Sequence, residues 1–196
     1  MSRYRALLSS SYFNNTIRLT CLWISKGILN YGVFFLIARI NSSTLEGVCN
    51  FDYSASFISS SVEILGAFFT SAVIDIIGRP LTIGIQLITA LLGLVGLLIL
   101  GHDSVVVKDT LESVIRASLF GASTTLWILS AEIYSTDMRA TAIAWLYNIS
   151  RVGAIVGTYL TANATLRTAE IFFITICILQ IVITFGLRDT TGTNLD

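Results

Sequence analysis

Residues 81–101 read LTIGIQLITALLGLVGLLILG and contain no charged side chain. A helix that crosses a bilayer needs ~20 mostly apolar residues, because each residue rises only about 1.5 Å against a hydrocarbon layer of about 30 Å. This stretch is therefore long enough to span a membrane. Five further stretches have the same apolar character, at 17–39, 53–74, 105–134, 140–162 and 169–187. The sequence predicts an all-α membrane protein, a bundle of six transmembrane helices.

The composition agrees with a chain that lies almost wholly within a bilayer. Hydrophobic residues make up 54% of it and charged residues 12%, whereas a soluble domain carries about 25% charged residues. The formal net charge is zero, which argues against a nucleic-acid partner because phosphate binding requires a basic patch. The cysteines Cys21, Cys49 and Cys177 lie far apart, and His102 has no partner at metal-ligand spacing. We therefore expect no cofactor, no metal and no enzymatic activity.

The arginines and lysines of the short connections indicate the orientation. A cytoplasmic N-terminus puts most of these residues inside, as the positive-inside rule requires. We predict a cytoplasmic segment at 1–16, a six-helix transmembrane domain at 17–187 and a cytoplasmic tail at 188–196. The longest outside loop would then be 41–52, which begins with a glycosylation sequon at Asn41.

Four charged residues, Lys26, Glu63, Arg116 and Arg151, fall well inside the apolar segments. A charge near the bilayer centre costs at least ~2.5–3.5 kcal/mol, so such residues face a bundle interior or a water-filled cavity. Glu63 and Arg116 lie at similar depth and are expected to pair. A local pair of Arg116 with Glu112, one turn away, is the alternative. Both pairings are structural interpretations, and Glu63 and Arg116 are also candidates for contact with the substrate or a coupling ion.

Arg151 belongs to a polar face in the middle of its segment. Tyr147 and Asn148 precede it by four and three residues and share that face, which is typical of the lining of a cavity. Lys26 and Asn30 repeat the same spacing in the first segment. Either these residues contact a solute or coupling ion, or each cation has a partner charge on another helix.

Small residues mark expected helix contacts. Gly153 and Gly157 form a GxxxG pattern, and Ser113, Ala117 and Gly121 recur every four residues. Such spacing lets two helix backbones approach closely, so we interpret both patterns as ordinary packing.

Three loop motifs resemble those of the major facilitator superfamily. Residues 75–79 (DIIGR) are similar to its D-x-x-G-R signature, and residues 132–139 (EIYSTDMR) are similar to E-x-Y-P-T-x-x-R. The tail 189–196 (DTTGTNLD) resembles E-T-K-G-x-x-L-E. The motifs come in the family's order, each at the expected helix boundary.

The chain departs from these patterns at Ser71 and Pro80, which replace a glycine and a basic residue, and at Ser135, which replaces proline. Other residues fall where the branch of synaptic-vesicle-2-related proteins and organic ion transporters has similar ones: Tyr31, Gly32, Glu63, Arg116, Arg151, Val152 and Gly153. The resemblance covers the whole chain but only half of the family's twelve-helix fold, namely its helices seven to twelve.

The resemblance implies a carrier whose substrate binds between two six-helix halves. The chain would then be a fragment, or a half that requires a second half from the same or another chain. It also implies a cytoplasmic gate that latches the outward-facing state, formed by Asp75, Gly78, Arg79, Glu132 and Arg139.

We therefore expect transmembrane transport of a small molecule or ion by alternating access, secondary active or facilitative. No Walker-type loop is present in the sequence, so ATP is not expected to drive it. Within the membrane, three cationic side chains are predicted beside one carboxylate, Glu63. This excess of positive charge favours an anionic solute, although a sugar or an organic cation is also compatible with the sequence. The alternative is a membrane interaction protein that keeps the carrier fold without transporting, as the departures at Ser71, Pro80 and Ser135 suggest.

Overall fold

The computed structural model describes residues 13–43, 53–100 and 105–186. These residues form six α-helices: α1 (Phe13–Ser43), α2 (Tyr53–Ile77), α3 (Arg79–Leu100), α4 (Val105–Ile133), α5 (Thr136–Asn163) and α6 (Leu166–Phe185). Each predicted apolar segment corresponds to one helix, and no strand occurs in the described ranges. The all-α membrane bundle predicted from the sequence is confirmed. The tail motif at 189–196 lies outside the described residues.

Five of the six described helices are long and apolar enough to cross a membrane. α5 is the exception, although its 28 residues are sufficient in length. The polar side chains of Arg139, Asn148 and Arg151 lower its apolar character. α5 packs chiefly against α1, so its place in the bundle follows from helix packing more than from its own composition.

The helices pack in two closely associated pairs, α1 with α5 and α3 with α4. α6 packs against both α1 and α3 and so connects the pairs, while α2 lies mainly against α4. α2 is peripheral: only 11% of its apolar stretch is buried in the protein, compared with 56% for α1. Its exposed apolar side chains, such as Phe68 and Ile76, are suited to contact with lipid.

The α1–α5 contact depends on glycine. A Cβ atom at Gly157 would lie 2.6 Å from the Ile28 carbonyl oxygen, and one at Gly153 would collide with the Ile24 carbonyl. Lipid tails are as apolar as leucine, so helices in a bilayer associate through close packing and polar contacts. The GxxxG pattern is therefore confirmed as a packing surface, and it brings α5 close enough to α1 to share a cavity.

The second small-residue pattern is also confirmed as a helix contact. A Cβ atom at Gly66 of α2 would collide with the backbone of Ala117, and one at Gly121 would contact Thr70 at 2.6 Å. This close approach holds α2 against α4.

A single residue, Gly78, connects α2 to α3. Its φ is 98°, a left-handed conformation that glycine adopts without steric cost. Pro80 follows in the first turn of α3, where its missing N–H is not required. This geometry gives a physical reason for the glycine of the D-x-x-G-R motif.

Candidate functional site

A cavity of about 820 Å³ lies among α1, α4 and α5, with α2 along one side. Its volume falls within the usual range of about 300–1,000 Å³ for small-molecule pockets. All six residues that the sequence singled out as substrate or coupling-ion candidates line it: Lys26, Asn30, Glu63, Arg116, Tyr147 and Arg151. Four helices thus bring together residues that are up to 125 positions apart in the chain. Their roles remain predictions.

Glu63 and Arg116 form a salt bridge on the α2 side of the cavity. The Arg116 Nε donates to Glu63 Oε1 at 2.9 Å, and Nη2 donates to the same oxygen and to Ser60 Oγ at 3.1 Å. The Arg116 guanidinium also lies 4.9 Å from the ring centroid of Phe34. The expected pairing across two helices is present, whereas Glu112, the alternative partner, accepts a hydrogen bond from Asn41.

Arg151 is held on the opposite wall by two tyrosines. Its Nη1 donates to the Tyr31 hydroxyl at 2.6 Å. Its guanidinium carbon lies 4.5 Å from the Tyr147 ring centroid and 5.5 Å from that of Tyr31. The side chain is exposed to the cavity, and it forms no salt bridge with any described residue. Because guanidinium does not deprotonate in proteins, Arg151 presents a permanent positive charge to the cavity.

Lys26 lies between two tryptophans of neighbouring helices. Its Nζ is 4.2 Å from the Trp23 ring centroid and 5.1 Å from that of Trp127. Asn30, one turn along α1, donates to the Lys26 carbonyl and to Ser123 Oγ, each at 3.1 Å. Cation–π contacts stabilise the ammonium group but leave its charge uncompensated. Among the described residues, no carboxylate forms a salt bridge with Lys26.

Several lining residues were not predicted as site residues. Phe34, Ser123 and Trp127 were missed, and Tyr31 entered only through the family resemblance. A signal for part of this set exists in α4, because positions 116, 120, 123 and 127 are spaced along one face of a helix. Aromatic residues with this spacing are equally typical of a hydrophobic core. The periodicity alone therefore does not identify them as cavity-lining residues.

Asn148 does not line the cavity, contrary to expectation. It is exposed on α5 but lies outside the set of lining residues, which includes Tyr147 and Arg151 from this helix. Ala154, one turn further on, is buried at the contact with Gly27 of α1. Because α1 and α5 pack closely, fewer residues of this α5 face line the cavity than the sequence suggested.

Asn41 begins a glycosylation sequon that the sequence placed at the start of an outside loop. In the structure it does not lie in a loop. It lies in the last turn of α1 and is only 7% exposed. Its Nδ2 donates to Glu112 Oε2 at 3.1 Å, and its Oδ1 accepts from Lys108 Nζ at 2.7 Å. The nitrogen that would carry the sugar donates to a buried contact, so this structure does not present Asn41 as an accessible acceptor.

The predicted gate residues gather at the end of the bundle that contains Gly78, which we call the Gly78 end. Arg79 Nη2 lies 3.0 Å from Glu132 Oε1 and 3.1 Å from Asp75 Oδ1. Arg139 stands apart: it forms no salt bridge among the described residues, and its Nε is buried without a hydrogen bond there. Arg139 belongs to α5, which packs chiefly against α1.

The connection between α4 and α5 is anchored at the same end. Tyr134 is buried, and its hydroxyl donates to Thr16 Oγ1 at 3.1 Å. Burial raises the pKa of Tyr134 above its ordinary value. This contact joins the beginning of α1 to the turn that precedes α5.

The described residues contain no group of three or more His, Cys, Asp or Glu side chains that could hold a metal ion. The site is thus a cavity with three cations and one carboxylate, surrounded by aromatic rings. Such an arrangement can bind and orient a small charged molecule.

No family model matches the chain. It is 28% identical to the protein named organic cation/carnitine transporter 7 from Arabidopsis thaliana, over 76% of this chain and 31% of that protein. It is 23% and 22% identical to the proteins named "Putative transporter SVOPL" from Mus musculus and Homo sapiens, each over 94% of this chain and 43% of the relative. The chain therefore spans less than half the length of these curated relatives. They confirm the resemblance predicted from the loop motifs, because the chain is similar to proteins named as organic cation/carnitine and SVOP-like transporters.

Proposed function

We propose that this chain is one six-helix half of a carrier that moves a small solute across a membrane by alternating access, secondary active or facilitative. The observation that carries the proposal is the cavity between α1, α4 and α5, where Lys26 and Arg151 have no carboxylate partner among the described residues. The transporter names of the relatives support the same class of activity.

The charge balance of the cavity favours a solute that carries a carboxylate. Glu63 is already paired with Arg116, so Lys26 and Arg151 have no carboxylate partner among the described residues. An intramembrane cation without a counter-charge costs at least ~2.5–3.5 kcal/mol, and a bound carboxylate would offset part of that cost at both groups. The surrounding aromatic rings would contact the organic part of the solute, or a quaternary ammonium group if the solute is a zwitterion.

The open side of the cavity supports a requirement for a second six-helix half. Tyr31, Phe34 and Phe35 line the cavity and are 39%, 46% and 48% exposed. In carriers built from two repeats, the substrate site lies at the interface between them near the bilayer midplane. We infer that another half, from the same or a separate chain, covers these aromatic side chains.

The Gly78 end supplies a candidate latch for such a cycle. The cluster of Asp75, Arg79 and Glu132 joins the α2–α3 turn to the end of α4. Asp75 is 76% exposed, so its salt bridge with Arg79 is weak enough to break and re-form as helices rock, whereas the Arg79–Glu132 pair is mostly buried and is the stronger contact. We propose that this cluster closes the cytoplasmic side in the outward-facing state.

Solute binding by the purified chain tests the proposal directly. Trp23 and Trp127 lie beside Lys26, whereas Trp145 lies outside the cavity. Replacing Trp145 by Phe therefore leaves two fluorescent tryptophans, Trp127, which lines the cavity, and Trp23, which is buried beside Lys26. We expect benzoate and carnitine to change the fluorescence saturably, and benzyltrimethylammonium and glucose to have no such effect.

Arg151→Lys should weaken benzoate binding about tenfold or more, because a point charge does not reproduce the planar guanidinium fork. Arg167→Lys is the matched control, since Arg167 is exposed at the beginning of α6 and does not line the cavity. Equal binding by the cationic and anionic probes would refute the assigned substrate class. Saturable binding without uptake in proteoliposomes, even with the second half present, would favour the non-transporting interaction protein.

A further inference from the structure

A second polar cluster is buried away from the cavity, where the end of α1 meets the beginning of α4. Lys108 Nζ donates to Asn41 Oδ1 at 2.7 Å, and Asn41 Nδ2 donates to Glu112 Oε2 at 3.1 Å. The three residues are 6%, 7% and 2% exposed, respectively. None of them lines the cavity. The side chain of Asn41 thus bridges two groups of α4 and ties α1 to them.

The Glu112 carboxyl group is incompletely satisfied. Its Oε1 is buried and has no hydrogen-bond partner within the described part of the chain. Glu63 and Glu132 differ, because each accepts at least two hydrogen bonds from an arginine. Glu112 receives a single hydrogen bond, from a neutral amide.

Among the described residues, the charged groups close enough to act on Glu112 are Lys108, Asp109 and Arg116, all on α4. Lys108 lies 3.8 Å from Asp109 Oδ1, and Arg116 is bound to Glu63 of α2. From the same end of α1, Arg39 donates to the carbonyl oxygens of Thr161 and Ala164, at the end of α5. The facing end of α3, residues 93–100, contains no titratable side chain. Each neighbouring cation therefore has another partner.

We propose that Glu112 is a proton-binding site that stabilises the contact between α1 and α4. A buried carboxylate with one hydrogen bond and no cation of its own is unfavourable, whereas the neutral acid avoids that penalty. When the helix ends separate and water enters, the carboxylic acid releases its proton to water and becomes a carboxylate. When they close again, the carboxylate takes a proton from water. Proton binding stands independently of the cavity, and only its link to a transport cycle rests on the proposed function.

The sign of the pH dependence follows from this exchange. The closed arrangement holds one more proton than the open one, so acid favours the α1–α4 contact and alkali weakens it. The stabilisation that Glu112 contributes is present at low pH and is lost as the pH rises.

Infrared spectroscopy of the purified chain in detergent tests the protonation state, because a protonated carboxyl group has its own carbonyl band. We expect this band at neutral pH in the wild type, its loss in Glu112→Gln, and its retention in the control variant Asp137→Asn, which removes an exposed carboxylate in the first turn of α5. The thermal unfolding temperature should fall with rising pH in the wild type and in Asp137→Asn, and this dependence should be reduced in Glu112→Gln. Identical spectra for the wild type and Glu112→Gln at every pH would overturn the proposal.

Lys108→Gln gives an independent reading that does not require Glu112→Gln to fold. If Glu112 is already protonated, the carboxyl band keeps its size when the Lys108 charge is removed. The alternative is an ionised Glu112 whose negative charge is balanced by Lys108 through Asn41. In that case the band is absent in the wild type and appears only in Lys108→Gln. This result would also overturn the proposal. Neither result depends on the fluorescence assay of solute binding, so the two proposals fail separately.

Discussion

The salt bridge between Arg79 and Glu132 provides a quantitative test of the cluster at the Gly78 end. Arg79 Nε lies 3.3 Å from Glu132 Oε1 and 3.1 Å from Oε2, and Arg79 Nη2 lies 3.0 Å from Oε1. The two side chains are only 14% and 17% exposed, whereas Asp75, the other partner of Arg79, is 76% exposed. The cluster therefore contains one mostly buried pair and one pair with a solvated member.

These exposures determine the expected magnitudes. Removing one partner of a fully buried pair costs about 3–5 kcal/mol, and an exposed pair contributes about 0–1 kcal/mol. Because the Arg79–Glu132 pair retains some contact with solvent, we expect Glu132→Ala to cost about 2–3 kcal/mol. Asp75→Ala should cost no more than about 1 kcal/mol.

The measurement is reversible unfolding of the purified chain in detergent, with the Arg79→Ala and Glu132→Ala variants combined in a double-mutant cycle. The cycle isolates the coupling between the two side chains from their other contacts. Asp75→Ala is the matched control, since it removes a carboxylate from the same guanidinium. A cost for Asp75→Ala equal to that for Glu132→Ala, or no coupling in the cycle, would show that burial does not determine the strength of this cluster.

Two further predictions concern packing and orientation. Gly157→Val should destabilise the chain by about 1–3 kcal/mol through overpacking, since a Cβ atom there would lie 2.6 Å from the Ile28 carbonyl oxygen. Gly96→Ala should cost less, because its Cβ would meet only the Leu111 side chain, at 3.2 Å. Equal unfolding temperatures for the two variants would contradict this reasoning. Ser43→Cys should react with an impermeant thiol reagent from outside, and Ser135→Cys only after permeabilisation; the reverse pattern would show that the orientation predicted from the arginines and lysines is wrong.

The individual helices could be predicted from local sequence because each satisfies its own requirements. In lipid, every backbone N–H and C=O must be paired within the segment, so a long apolar stretch has few options other than a helix. Residues 81–101 illustrate this, since the observed helix is Arg79–Leu100. The turn at Gly78 was also predictable, because only a glycine-compatible conformation joins two helices through one residue.

The candidate site was predicted only in part. Intramembrane charge is rare enough that Lys26, Glu63, Arg116 and Arg151 could be singled out, and all four line the cavity. The pairing of Arg116 with Glu63 instead of Glu112 could not be resolved, because both partners lie within reach along the sequence pattern. It depends on how closely α2 approaches α4 at Gly66 and Ala117.

The sequence by itself determined the class of molecule, the number of helices and the polar groups that a bilayer cannot leave facing lipid. The tertiary structure decided which helices share the cavity, the separation of Arg139 from the cluster at the Gly78 end, and the burial of Asn41 between Lys108 and Glu112. The physical reason is that apolar length is a local property, whereas the partner of a polar side chain depends on the rotation and spacing of helices. Those are determined by close contacts such as that of Gly157 with Ile28, which join residues far apart in the chain.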